Sequence, residues 1–386
     1  MQAATALTDA KDAKVATSEL ASSVRRKLAE VPGALVLFAA PTFDHQKLLK
    51  DLSEEFPSAI IVGASSAGEF TNEHVGQDAT CLLALGGPDV RFGSGVGRNL
   101  RADVPDAARQ LSATFRGSAE SKFSHRAALV MADALAGHAD TLVDELILAT
   151  SGQYSFFGGG AGDNARFERT TVFHGREVLT DAAVGLEIVS EKPLGIGAMH
   201  GWEPKSEPLR VTEAEGMSVI SLNGFPAVEA FVSYAERTGQ HIDRSAPMPF
   251  FLQNILGIRT GSGHRLRVPL AIGQDGSVIC AAEIPVGAIV HIMGSSEASS
   301  IEAARQAAKS ALVALQGHRP KAALFFDCVA TRLRLGNEFG REINALKETL
   351  SDVELTGCNT HGQIVRADGQ FQGFHNCTAV VCVFPE

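Results

Sequence analysis

Gly63-Ala64-Ser65-Ser66-Ala67 follows an apolar run and has the outline of a nucleophile elbow, Gly-x-Ser-x-Gly with alanine in the last place. A serine hydrolase built on Ser65 would need a later histidine and acid, and His375 is the histidine on offer. Against that chemistry, the equivalent turn near residue 160 carries glycine and the one near 359 carries Asn359. The serine therefore reads as incidental, and no catalytic residue is assigned. Gly195-Ile196-Gly197-Ala198-Met199-His200-Gly201 misses the dinucleotide fingerprint by one residue, and Gly158 to Gly162 lacks the lysine of a P-loop. Both read as tight backbone turns. Glu69, Asp163 and Gln363 close three glycine turns, where a carboxylate or amide beside exposed N–H groups would either grip a polar ligand such as an amino acid or cap its own turn. The ligand-binding set expected from these turns is Gly63, Ser65, Ser66, Glu69, Gly160, Asp163, Gly357, Asn359 and Gln363.

The turns belong to a plan that recurs three times: an apolar run, an amphipathic stretch, and a second apolar run breaking into glycine. Its copies start at Ala34, Ala128 and Ala323, and reach Gly63, Gly158 and Gly357 after 29, 30 and 34 residues, the length of one strand-helix-strand unit. Units one and two are each followed by another apolar strand, Cys81 to Leu85 and Val184 to Ile188, and are expected to add to a common mixed sheet. Residues 12–31 predict an amphipathic helix with Val15, Leu20, Val24 and Leu28 on one stripe, ended by Pro32-Gly33, after a loose terminus of about 15 residues. From Leu266 to Met293 the pattern is a β meander with a hairpin at Gln274-Asp275-Gly276; Pro226 to Arg237 and Ala298 to Leu315 read as helices. The fold class is α/β, with repeated strand-helix-strand units in mixed sheets, two domains and a meander in the carboxy-terminal half. The expected divisions are an amino-terminal helix over 1–32 and domains over 33–223 and 224–386.

A length of 386 residues suits two domains, and 45% hydrophobic with 20% charged residues is ordinary for a globular chain. A net charge of −10 with one short basic run, Arg25-Arg26-Lys27, argues against nucleic acid. No run reaches the ~20 apolar residues of a membrane span, and no basic-then-apolar leader opens the chain, so a cytoplasmic location is expected. Six cysteines without a Cys-x-x-Cys pair read as buried thiols of a reducing compartment.

Three of the twelve histidines stand beside apolar or glycine-rich sequence: His200 before Gly201-Trp202, His361 in the third glycine turn, and His375 between Phe374 and Asn376. Together with Val62 to Glu69, Gly158 to Asp163, Val211 to Gly216, Phe326-Asp327-Cys328, Gly357 to Ile364 and Phe374 to Thr378, they form an ordered series. In it the chain resembles the FIST family of bacterial sensory proteins from about Gly33 to its end. The resemblance implies a small-ligand sensor that signals to a separate protein. In its sharpest form it implies a haem-based nitric oxide sensor regulating a histidine kinase, with His375, His200 and His361 as candidate ligands of haem b. A haem-free sensor of an amino acid or other metabolite is the alternative. The family's carboxy-terminal motif has the pattern Tyr-Ser-Tyr-Gly-Glu, whereas this chain has Asn359-Thr360-His361-Gly362-Gln363.

Overall fold

The computed structural model describes residues 1–117, 122–261, 263–367 and 371–386. The first repeat runs β1 (Gln2–Thr8), α1 (Ala13–Lys27), β2 (Ala34–Ala39), α2 (His45–Glu55), β3 (Ile60–Ser65), β4 (Glu69–Thr71), β5 (Val75–Gly76) and β6 (Thr80–Gly86). The second runs β7 (Val90–Arg98), α3 (Val104–Ser112), β8 (His125–Ala132), α4 (Ala139–Ala149), β9 (Ser155–Gly160), β10 (Val172–His174), β11 (Glu177–Leu179) and β12 (Ala182–Ser190).

The third repeat opens with β13 (Gly195–Met199) and is then interrupted by an insert. The insert comprises β14 (Glu203–Pro204), β15 (Leu209–Glu215), β16 (Ser218–Leu222), β17 (Phe225–Pro226), α5 (Ala227–Thr238), α6 (Met248–Phe251), β18 (Ile255–Thr260), β19 (Gly263–Arg267), β20 (Pro269–Ile272), β21 (Val278–Cys280) and β22 (Ile289–Gly294). The repeat resumes with α7 (Glu297–Ala314), β23 (Pro320–Cys328), α8 (Val329–Leu335), α9 (Gly340–Leu350), β24 (Glu354–Thr360), β25 (Gln363–Arg366), β26 (Gln372–His375) and β27 (Ala379–Pro385).

Each repeat builds its own six-stranded sheet around a parallel pair, and each borrows two strands from another repeat. The orders are β1-β6-β2-β3-β10-β11, β7-β12-β8-β9-β25-β26 and β13-β27-β23-β24-β4-β5. Repeat one lends its hairpin to the third sheet, repeat two to the first, and repeat three to the second, so the exchange closes in a ring. The common sheet expected for units one and two is therefore corrected: β2–β3 and β8–β9 lie in different sheets.

The parallel pairs are buried on both faces, which is why they read as unbroken apolar runs. Their inner faces share one core, where Phe38 meets Phe326 edge-on at 5.5 Å and Phe157 meets Phe384 at 6.3 Å. Each outer face carries two helices. In all three pairs the same glycine presses on its neighbour's carbonyl. A Cβ at Gly63, Gly158 or Gly357 would lie 1.8, 2.1 or 1.9 Å from the oxygen of Leu37, Val130 or Phe325. Gly195 and Gly197, the near-miss dinucleotide motif, let β13 lie against α7, where a Cβ would sit 2.0 and 2.1 Å from Ala311 O and Ala307 O.

The amino terminus departs from expectation. Gln2–Thr8 is a strand paired with β6 and not a loose end, because nearly continuous burial of small residues against an apolar strand offsets their weak strand propensity. Helix α1 keeps Leu20 and Val24 on its buried stripe but turns Val15 outward, 48% exposed, with Ala13, Ala16 and Ala21 inward instead. The insert forms a nine-stranded sheet packed on α5 through Phe231. Asn223-Gly224, the expected boundary, is the turn between paired strands β16 and β17 inside that sheet.

Candidate functional site

Strands β3, β9 and β24 end together, and their turns lock to one another through the backbone. The Ala67 N–H donates to Asn359 O at 2.9 Å, and the Asn359 N–H returns to Gly68 O at 2.8 Å. The Gly162 N–H donates to Ser65 O at 2.8 Å, and the His361 N–H to Gly160 O at 3.0 Å. The structure thus brings together the three turns that carry the expected ligand-binding residues, but Gly63 and Gly357 lie mid-strand, each pressed against a neighbouring carbonyl.

The polar members are spent on the turns themselves. Glu69 accepts from the Ser66 hydroxyl and from the Ala79 N–H at 3.0 Å. Gln363 makes the same frame in repeat three, donating to Thr360 Oγ1 at 2.9 Å and accepting from the Thr378 N–H at 3.2 Å. Asp163 sits one position early relative to these two. It opens a longer loop whose Asn164, Ala165 and Phe167 are left-handed, and its carboxylate accepts the N–H groups of Arg166, Phe167, Glu168 and Arg169 at 2.7–3.1 Å. Burial raises the Glu69 carboxyl to about 7, opposed by its Ser66 and Ala79 hydrogen bonds. The Ser65 hydroxyl accepts the Thr171 N–H at 2.9 Å and donates to Thr171 O at 3.3 Å, so it joins β3 to the segment before β10.

Asn359 is held by Arg332, a residue of α8 that no sequence motif signalled. Arg332 donates to Asn359 Oδ1 at 3.4 Å, to Ala67 O at 2.7 Å and to Gly76 O at 3.1 Å, tying repeat three to repeat one.

His361 is different. It occupies the place of Ala67 and Gly162 in the other two turns, so a bulky ring stands where two copies keep small residues. The imidazole is 7% exposed and stacks on Phe167 with centroids 4.7 Å apart, and neither ring nitrogen has a hydrogen-bond partner. Asp163 Oδ1 lies 3.5 Å away. Burial nevertheless drives the imidazole down to about 4, outweighing that carboxylate, which is already filled by four N–H groups; the ring is neutral at pH 7 and the contact is not an ion pair.

The ring faces an apolar cavity of about 110 Å³ where repeats two and three meet the insert. Phe167 comes from repeat two, Met217, Met248 and Leu270 from the insert, and Cys328 and Leu333 from repeat three. Phe167, Met217 and Leu333 are 41–48% exposed, an apolar rim around the opening. Of the residues lining this cavity, the sequence marks only His361 as a candidate ligand, although Cys328 and Asn376 lie in motifs of the ordered series. The cavity's other walls come from stretches scattered between residues 134 and 376, and nothing short-range marks them as neighbours.

The other two histidines lie elsewhere. His200 donates from Nε2 to His264 O at 3.0 Å and accepts the Trp202 N–H at Nδ1, so both nitrogens are committed. His375 donates to Gln372 O at 3.1 Å, and burial together with Arg267 and Arg265 holds it well below the usual imidazole range. Both rings pack on Phe371, 5.5 and 5.4 Å away.

A haem does not fit these residues. His200 has no free nitrogen, the remaining nitrogen of His375 is fully enclosed, and the His361 cavity is well below the ~300–1,000 Å³ of sites for drug-sized ligands. Its lining also holds no arginine or lysine for propionates. Among the described residues no group of three or more histidine, cysteine or acidic side chains is placed to hold a metal ion, and no helix is long and apolar enough to cross a membrane.

The model of the FIST N domain matches residues 33–224, and that of the FIST C domain matches residues 228–366. No curated protein sequence matches the chain. Among solved structures, a cyanuric acid hydrolase from A. caulinodans is 9% identical with a TM-score of 0.38, covering 99% of both chains. The T. maritima PurL complexed with AMPPCP is 12% identical with a TM-score of 0.23, covering 99% of this chain and 72% of that one. Similarity at this level carries no functional argument.

Proposed function

This chain belongs to the FIST family, with a FIST N and a FIST C domain, and we propose that it is a sensor that binds a small, uncharged, largely apolar ligand in the His361 cavity. FIST domains are associated with signal transduction and the sensing of small ligands. The observation that carries the reading is the neutral His361 ring, with both nitrogens unpartnered, facing an apolar cavity. A buried polar group without a partner costs about 1–3 kcal/mol, which a ligand offering a donor or acceptor would recover. The lining carries no charged side chain, so a neutral metabolite suits it better than a zwitterionic amino acid.

An occupant wedged among three parts of the chain would favour one packing of the insert on the repeats over another. A separate signalling protein would read that difference, a histidine kinase in the form implied by the resemblance. The haem-based nitric oxide sensor has one observation in its favour, the free nitrogens of His361, and the cavity's size against it. On this reading the protein is not an enzyme, and Ser65 is structural.

Thermal denaturation with phenol, toluene and benzoate tests the reading. Phenol, which joins an apolar ring to one hydroxyl, should stabilise by RT ln(1 + [L]/Kd), about 2.7 kcal/mol at a hundredfold excess over Kd, and benzoate should not. Equal effects of all three, or none, would reject it. An absorption spectrum after haem addition separates the second reading: a sharp, saturable band lost in His361→Ala would restore haem.

A further inference from the structure

Cys328 ends β23 and Cys377 lies in the turn between β26 and β27. The antiparallel register of β23 with β27, which sets Phe326 against Val380, puts Cys328 opposite Thr378 when continued past the strand end, one residue from Cys377. The Cys377 thiol and its backbone lie close enough to the Cys328 thiol to favour the Cys328 thiolate, and Cys377 is held high in turn. Both belong to one apolar cluster with Trp202 and Met293, and Cys328 also forms part of the His361 cavity wall. The cavity's rim is exposed at Phe167, Met217 and Leu333, and Cys328, 2% exposed itself, lines the same cavity.

We infer that Cys328 and Cys377 form an oxidant-sensitive dithiol, with Cys328 the attacking thiol at the cavity wall and Cys377 the resolving thiol behind it. The oxidant is hydrogen peroxide. The Cys328 sulfur, as thiolate, attacks one peroxide oxygen; the O–O bond breaks, an S–OH group forms, and the departing oxygen leaves as water with the thiol proton. The Cys377 sulfur, on giving up its proton, then attacks Cys328 Sγ; an S–S bond forms, and the hydroxyl leaves as the second water. Two thiols are oxidised and one peroxide is reduced to two waters.

The proximity of Cys377 favours the thiolate of Cys328, whereas burial holds the thiols of Cys81, Cys280, Cys358 and Cys382 high. The chemistry needs no ligand in the cavity, so its failure would leave the proposed ligand site untouched.

The test is treatment of the full-length protein with hydrogen peroxide under native conditions, alkylation of remaining thiols, and peptide mapping by mass spectrometry. Expected is a reducible Cys328–Cys377 disulfide with the other four cysteines alkylated. Cys377→Ser should instead leave a sulfenic acid at Cys328 that dimedone traps. Alkylation of all six cysteines after peroxide, or a disulfide between any other pair, would overturn the inference; the unsubstituted chain alone decides this should the variant fail to fold.

Discussion

Arg267 of the insert is ion-paired with Asp140 of helix α4, its side chain 1% exposed and that of Asp140 25%. The same guanidinium donates to Glu283 O at 3.1 Å, Leu266 O at 2.9 Å and Phe374 O at 3.0 Å, while Asp140 also takes Arg265 and the Phe374 N–H. One carboxylate thereby joins the insert to repeats two and three beside the cavity's walls. Asp140→Ala should destabilise by about 3–5 kcal/mol in urea denaturation, because it strands a buried cation. Arg267→Met, which removes the cation itself, should cost clearly less. Equal losses would mean that packing, not charge, holds the junction.

Glu69 gives the chain a pH dependence of unusual sign. Its folded value, about 7, lies above the ordinary 4.5, so the folded state holds a proton that the unfolded state has released. That contribution is fully present below pH 4.5 and is lost as pH rises through 7, amounting to ~3 kcal/mol. Glu69→Gln should abolish this loss, since Gln363 fills the corresponding place in repeat three with the same type of hydrogen bonding. A variant whose stability falls between pH 4.5 and 7 as steeply as the parent's would refute the assignment.

His361 acts in the opposite direction. Its folded value, about 4, lies below the ordinary 6.5, so its contribution is present above pH 6.5 and is lost as pH falls through 4, again ~3 kcal/mol. His375, depressed for the same reason, adds to the acid side. Histidine ring shifts followed by NMR should show His361 neutral at pH 6; a midpoint near 6.5 would contradict its burial in an apolar wall.

Gly357→Ala should cost about 3 kcal/mol or more, because its Cβ meets the Phe325 carbonyl of a strand that cannot retreat. Gly216→Ala, at a left-handed turn with nothing within 4 Å, should cost only ~1 kcal/mol. Chemical denaturation of both ranks them, and comparable losses would show that backbone conformation, not the close approach, is what selects glycine.

The three strand-helix-strand units were legible because each is local: a doubly buried strand reads as an apolar run, and the helix between shows its stripe. Helices α5 and α7 and the hairpin at Gly276 carried their own start and turn signals. The ring of exchanged hairpins was not legible. Strands β4, β10 and β25 are three or four residues long and find partners in another repeat, and no local pattern encodes that choice. Of the site, the glycine turns and His361 could be named, and even the alternative that Glu69, Asp163 and Gln363 cap their own turns. What Phe167, Met217 and Cys328 share is a wall, and only the closed fold assembles it.

The most direct test of the ligand site is a titration of the full-length protein with phenol, followed by the nitrogen-15 shifts of the histidine rings. A saturable shift confined to one imidazole and absent in His361→Leu is the predicted result. If no ring responds, or if the response persists in that variant, the cavity at His361 is not where this protein takes its ligand.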